Sequence, residues 1–142
     1  IVQSRDHGTI IQEMFHDVRN IPLTEMPNLS ENIKLWNGSS RGYWDGDTLV
    51  IDTQNFSEKS APGLNTEAKI LQERITRISD TELQYDLIAH DPGTYSADYT
   101  RRIIFEYSED KIYEYACHEG NYGMMNILSG HRAEEARALA GQ

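Results

Sequence analysis

The residue types best suited to chemistry crowd into one run, Tyr113-Glu114-Tyr115-Ala116-Cys117-His118-Glu119-Gly120-Asn121-Tyr122. It contains the only cysteine of the chain, one histidine, two carboxylates, one amide and three tyrosines. A histidine titrates near neutral pH, so His118 beside Glu119 offers general acid–base chemistry. The run begins with strand formers and breaks at Gly120. Its reactive groups therefore fall where a strand gives way to a loop, a place where a rigid scaffold presents side chains. Alternate residues of a strand face opposite sides. Tyr113, Tyr115, Cys117 and Glu119 then share one face, an aromatic wall ending in a carboxylate. Glu114 and His118 share the other. Glu119 is the leading acid–base candidate, with Asn121 placed to orient a bound molecule. His118 joins it if the chain turns inward past Cys117.

A zinc-protease helix needs a second histidine four residues after the first, so that both face one side of a helical turn. Here that position is Tyr122, and Gly120 opposes a helix, so the motif is absent. Cys117, His118, Glu119, His16, Asp17, His90, Asp91 and His131 are all metal-ligand types, but none has a metal-specific spacing. No metal or cofactor is expected. There is no Gly-x-Ser-x-Gly, no phosphate loop and no dinucleotide fingerprint. His16-Asp17, with Glu13 and Arg19 close in sequence, is a second acid–base candidate. His90-Asp91 runs into Pro92-Gly93, which is turn chemistry.

These side chains must be positioned by strands. Asp45-Gly46 stands between two strand patterns, Tyr43-Trp44 and residues 48–53, and predicts a hairpin. Residues 69–78, 82–90, 99–107 and 112–117 read as a four-stranded antiparallel meander, and residues 9–15 as another strand. The expected fold is all-β, a closed or partly open antiparallel barrel. Residues 22–37 and 57–67 lack a β pattern and read as loops. Residues 129–139 have helix composition and predict a short C-terminal helix.

Face by face, the strand at 69–78 mixes Glu73 and Arg74 with isoleucines and leucines. Unpaired buried charge is costly, so such a face points either to ion pairs across strands or to a ligand cavity. Arg74, Arg101, Trp44, Tyr85 and Tyr115 are the expected cavity lining, with Asn121 beside them. Aromatics with a few polar groups are a common ligand-site lining.

The chain has 142 residues, which suits a single domain spanning residues 1–142. Its net charge is −10, from 23 acidic against 13 basic residues. That balance opposes nucleic acid or an anionic membrane as the main partner. No apolar run approaches the ~20 residues of a membrane-spanning helix. The first residue is Ile1, and a longer precursor is one reading of that start.

The stretch Arg41-Gly42-Tyr43-Trp44-Asp45-Gly46-Asp47-Thr48-Leu49-Val50-Ile51-Asp52-Thr53, with Asn55-Phe56, resembles a recurrent motif of an uncharacterised bacterial family. Glu73-Arg74, Asp91-Pro92 with Tyr95, the run 113–122 and Asn126-Ile127-Leu128 resemble further motifs of it, covering nearly the whole chain. The resemblance implies an exported protein, periplasmic or secreted, and no specific reaction. The resemblance further implies that some relatives vary at the position of His118 while keeping the cysteine and glutamate, which favours Glu119. The hairpin followed by a meander is more loosely similar to lipocalin-like barrels, an analogy of fold alone.

Three functional readings stand. The first is a lipocalin-like module binding a small organic molecule. The second is a cofactor-independent lyase, isomerase or hydrolase using Glu119 or His118 with His16 and Asp17. The third is a structural or assembly subunit using exposed strand edges and the C-terminal helix as contacts, with a homo-oligomer as one form.

Overall fold

A computed structural model describes residues 1–60, 66–116 and 122–140. Its strands form two antiparallel sheets. The smaller contains β1 (Val2–Gln3), β2 (His7–Ile11) and β3 (Val18–Pro22). The larger is a five-stranded meander of β4 (Ser39–Asp45), β5 (Thr48–Gln54), β6 (Ile70–Arg77), β7 (Glu82–His90) and β8 (Tyr99–Glu106). A helix, α1 (Tyr122–Ala140), follows. It has no buried residue, so side-chain burial contributes little to holding it.

The expected β4–β5 hairpin forms, with Asp45 opposite Thr48. Gly46 takes φ +59, and a residue without Cβ enters that region at little cost. Three of the four expected meander strands also form, as β6, β7 and β8. The fourth does not: residues 107–116 lie outside any strand.

The all-β expectation holds, but of the closed or partly open barrel expected, closure is not found among the described residues. Among the described residues β8 pairs only with β7 and β4 only with β5, so the large sheet stays open at both edges. The structure covers one face of this open sheet with the small sheet instead.

Register decides which side chains meet there. Gly42, Ile51, Glu73, Leu87 and Arg101 lie in one cross-strand row. Trp44, Leu49, Ile75, Tyr85 and Ile103 form the next row on the same face. From the small sheet Gly8 opposes Ile21 and Ile10 opposes Arg19. Ile21, Leu49, Ile51 and Ile75 make the buried core, with Ile10, Leu23, Leu83 and Tyr85 packed against it. Each aliphatic side chain fully withdrawn from water contributes about 1.5–3 kcal/mol.

The other face of the large sheet is laced by polar pairs. Arg74 donates to Asp45 at 2.7 Å, Gln72 to Asp52 at 2.8 Å, and Arg102 to both Asp86 oxygens at 2.6 and 2.9 Å. The Arg102 guanidinium holds the Asp86 carboxyl below its ordinary value.

Two features fix the sheets and loops. At Gly42 a Cβ would lie 2.8 Å from Leu23 Cδ2 and 2.9 Å from Ile21 Cγ2, so the missing side chain lets β3 approach β4. Asp91, 2% exposed, accepts hydrogen bonds from Thr66 N at 2.8 Å, Thr66 Oγ1 at 2.5 Å and Thr94 Oγ1 at 2.9 Å. Burial pushes the Asp91 carboxyl up, but the donors from Thr66 and Thr94 outweigh it and hold it below its ordinary 3.8.

Gly42→Ala should cost about 1–3 kcal/mol in urea unfolding by overpacking. Gly8→Ala, where a Cβ meets nothing within 4 Å, should be close to neutral. Equal effects at the two glycines would refute the close-approach argument. Asp91→Asn should lose about 1–3 kcal/mol at pH 7, because one amide cannot accept from all those donors. A carboxyl held below 3.8 in the folded chain stabilises fully above that value, and the contribution is lost as pH falls through the folded value. The gap between wild type and Asp91→Asn should therefore close in acid. A gap unchanged down to about pH 2 would contradict this linkage.

Candidate functional site

The two sheets do not fill the space between them. A cavity of about 520 Å³ lies there, walled by Ile10 and Ile11 of the small sheet and Ile75, Leu83, Leu87, Ile103 and Phe105 of the large one. Its polar lining is Gln12, Arg19, Glu73, Tyr85 and Arg101. Tyr85 and Phe105 meet edge to face, with ring centroids 5.6 Å apart. Every one of the large-sheet residues falls on the inward parity that register assigns.

At the inner end sits a buried ion pair that joins the sheets. Glu73, on central strand β6, is 2% exposed. Arg19 of β3 reaches it with both terminal nitrogens, Nη1 to Oε1 at 2.9 Å and Nη2 to Oε2. The Tyr85 hydroxyl donates to the same Oε1 at 2.7 Å. Arg19 Nη2 also reaches Ser40 Oγ at 3.3 Å and Thr53 Oγ1 at 3.4 Å, and those two hydroxyls are 2.9 Å apart. Both carboxylate oxygens thus have donors.

The electrostatics follow from burial. Desolvation works against the charge on Arg19, but hydrogen bonding and attraction to Glu73 outweigh it, and the guanidinium is held above its ordinary value. Burial, then the adjacent Glu73 charge, pushes the Tyr85 hydroxyl far up, so it stays a neutral donor at physiological pH.

A second hollow of about 530 Å³ lies under residues 23–28 and is lined by Glu25, Asn28, Arg41, Tyr43 and Asp52 among others. It is more polar, and much of its wall is loop. The inter-sheet cavity has rigid strands on both sides and an apolar body with few polar groups, the usual form of a ligand site.

The residues nominated from sequence divide. Tyr85 and Arg101 line the inter-sheet cavity. Trp44 lines an adjoining hollow of about 330 Å³ that shares Ile75 and Leu83 with it. Arg74 lies on the opposite face, tied to Asp45. Tyr115 packs edge to face on Phe15, with centroids 5.6 Å apart. His16 and Asp17 belong to the β2–β3 connection, just past the cavity residue Gln12, and His16 is exposed. Phe15 and His16 there take φ 61 and 57, a region that residues with side chains seldom enter. His118, Glu119 and Asn121 lie outside the described residues.

Arg19 and Glu73 were not nominated. The signal for Glu73 was a carboxylate on the same parity as Ile75 and Leu71. For Arg19 there was none, because β3 carries little strand pattern. No group of three or more metal-ligand side chains occurs among the described residues. No described helix is long and apolar enough to cross a membrane. No family model matches the chain, and neither a curated protein nor a solved structure matches it.

Breaking the buried pair on one side should be severe. Arg19→Met or Glu73→Gln alone should lose about 3–5 kcal/mol in urea unfolding, since each leaves a buried charge unpaired. The double variant Arg19→Met/Glu73→Gln should lose less than the two single losses combined. Strictly additive losses would show that the pair is not coupled.

Proposed function

We propose that the protein binds a small organic molecule in the cavity between its two sheets. The observation that carries this reading is an apolar cavity of about 520 Å³ bounded by rigid strands. Ligand sites generally span roughly 300–1,000 Å³ with mostly apolar walls. Glu73 is satisfied by Arg19 and Tyr85, which suits a fixed polar floor better than a general base waiting for a proton. In this reading the open large sheet and its cover act as a lipocalin-like cup, with the ligand lying between Ile10 and Ile103. Export to the periplasm or beyond belongs to the same proposal and rests on the motif resemblance alone.

One contact favours the acid–base enzyme as a second reading. Tyr115 lies on Phe15, directly before His16. It brings the start of the reactive run beside the turn that carries His16-Asp17. Glu119 follows four residues later in sequence.

The binding reading is tested with N-phenyl-1-naphthylamine, a neutral dye that fluoresces in apolar surroundings. Wild type should bind it saturably at one site per chain. Ile103→Trp, which fills the cavity from an edge strand, should abolish binding while keeping the wild-type circular dichroism and a cooperative melt. Absence of saturable binding to wild type, or unaltered binding to a folded Ile103→Trp, would remove the proposal.

A further inference from the structure

The charged side chains that line the inter-sheet cavity do not balance. Arg19 and Glu73 cancel through their bidentate contact. Arg101 is the remaining charged side chain among those in the strand walls. It stands in one cross-strand row with Glu73 and Leu87, with β7 between the two charged residues. Adjacent strands are about 4.8 Å apart, so the Cα atoms of Glu73 and Arg101 are separated by roughly two such steps. The Glu73 oxygens are in any case taken by Arg19 and Tyr85.

The neighbouring residue supplies a contrast. Arg102 faces the other side of the sheet and meets Asp86 through two hydrogen bonds. Arg101 forms no hydrogen bond or ion pair among the described residues. Its charge nevertheless acts toward the interior, because it favours the ionised form of the Tyr85 hydroxyl. It is exposed, which places it at the mouth of the cavity and within reach of an entering molecule. A cationic mouth on a chain of net charge −10 is a local reversal of sign.

We infer that the cavity takes an amphipathic anion, with a carboxylate, sulfonate or sulfate head held by Arg101 and an apolar body held by Ile75, Leu87, Ile103 and Phe105. The guanidinium presents paired donors that match a two-oxygen anionic head. Beside Arg101 the large-sheet wall is aliphatic and aromatic, from Leu87, Ile103 and Phe105, so the molecule has its charge at one end. This inference rests on the binding reading above and adds the head group to it.

The test uses two dyes that differ only by a sulfonate. N-phenyl-1-naphthylamine is neutral, and 1-anilinonaphthalene-8-sulfonate carries the anion. Arg101→Met keeps the length and apolar stem of the side chain and removes its charge. The sulfonate should bind the folded variant about tenfold more weakly than wild type, and the neutral dye should change by less than about twofold. Added salt should weaken the sulfonate in wild type and not in the variant. Equal binding of the sulfonate by wild type and variant would overturn the inference, as would an equal loss of both dyes. Failure of wild type to bind the neutral dye would instead overturn the cavity reading on which it rests.

Discussion

A carboxylate in the middle of a sheet is tolerable only if something neutralises it. Glu73 sits on the central strand β6, facing inward, and its partner comes from the other sheet. The requirement that Arg19 reach Glu73 sets where β3 lies across β6. It also sets how closely the small sheet can approach, since the guanidinium occupies the space between them. Ser40, Thr53 and Tyr85 complete the cluster from β4, β5 and β7. Removing a pair of charges from water is expensive, and such a pair is weak evidence of net stability. What it does supply is a single docking geometry, because any slip leaves a buried charge alone.

The cavity is a consequence of that geometry. Close contact is reached at Gly42, where Leu23 and Ile21 press onto β4. Toward β7 and β8 the three-stranded sheet no longer covers the five-stranded one tightly, and the space opens beneath Ile10 and Ile11. The ion pair separates the packed part from the open part. The Glu73 carboxylate and the terminal nitrogens of Arg19 are held by protein groups, so the chain itself fixes the inner end of the cavity. In the binding reading proposed above, such pre-organisation lowers the ordering cost.

Much of the large sheet was legible because its signals are local. Asp45-Gly46 marks a tight turn, and residues 82–90 alternate with enough β-branched and aromatic content to be read directly. Tyr85 and Arg101 followed from parity once those strands were placed. β3 was not legible: Val18-Arg19-Asn20-Ile21-Pro22 is five residues with an arginine, an asparagine and a proline. Its strand state comes from pairing with β2 and from burial of Ile21, both non-local. The strand expected at residues 112–117 had the better local pattern, yet its described part is not a strand. Arg74 looked equivalent to Arg101 by type, but it stands two strands away on the opposite face. Type without register cannot tell a cavity cation from a surface one. Of the motif positions, Gly42, Asn55, Glu73 and Asp91 prove to be buried framework. Asn55 holds the 30–33 segment through Ser30 O at 2.8 Å and Ile33 O at 2.9 Å.

The distance along the chain between Arg19 and Glu73 has a kinetic side. The partners are 54 residues apart, whereas every pairing in the meander joins consecutive strands. Hairpins close cheaply and early, and contacts that must wait for a long loop come after them. An interaction absent from the folding transition state barely alters how fast the native state is reached and mainly slows escape from it. The buried pair thus acts on the lifetime of the folded chain. It keeps the small sheet from lifting, and with it the cover that Ile10 and Ile11 give the cavity on that side.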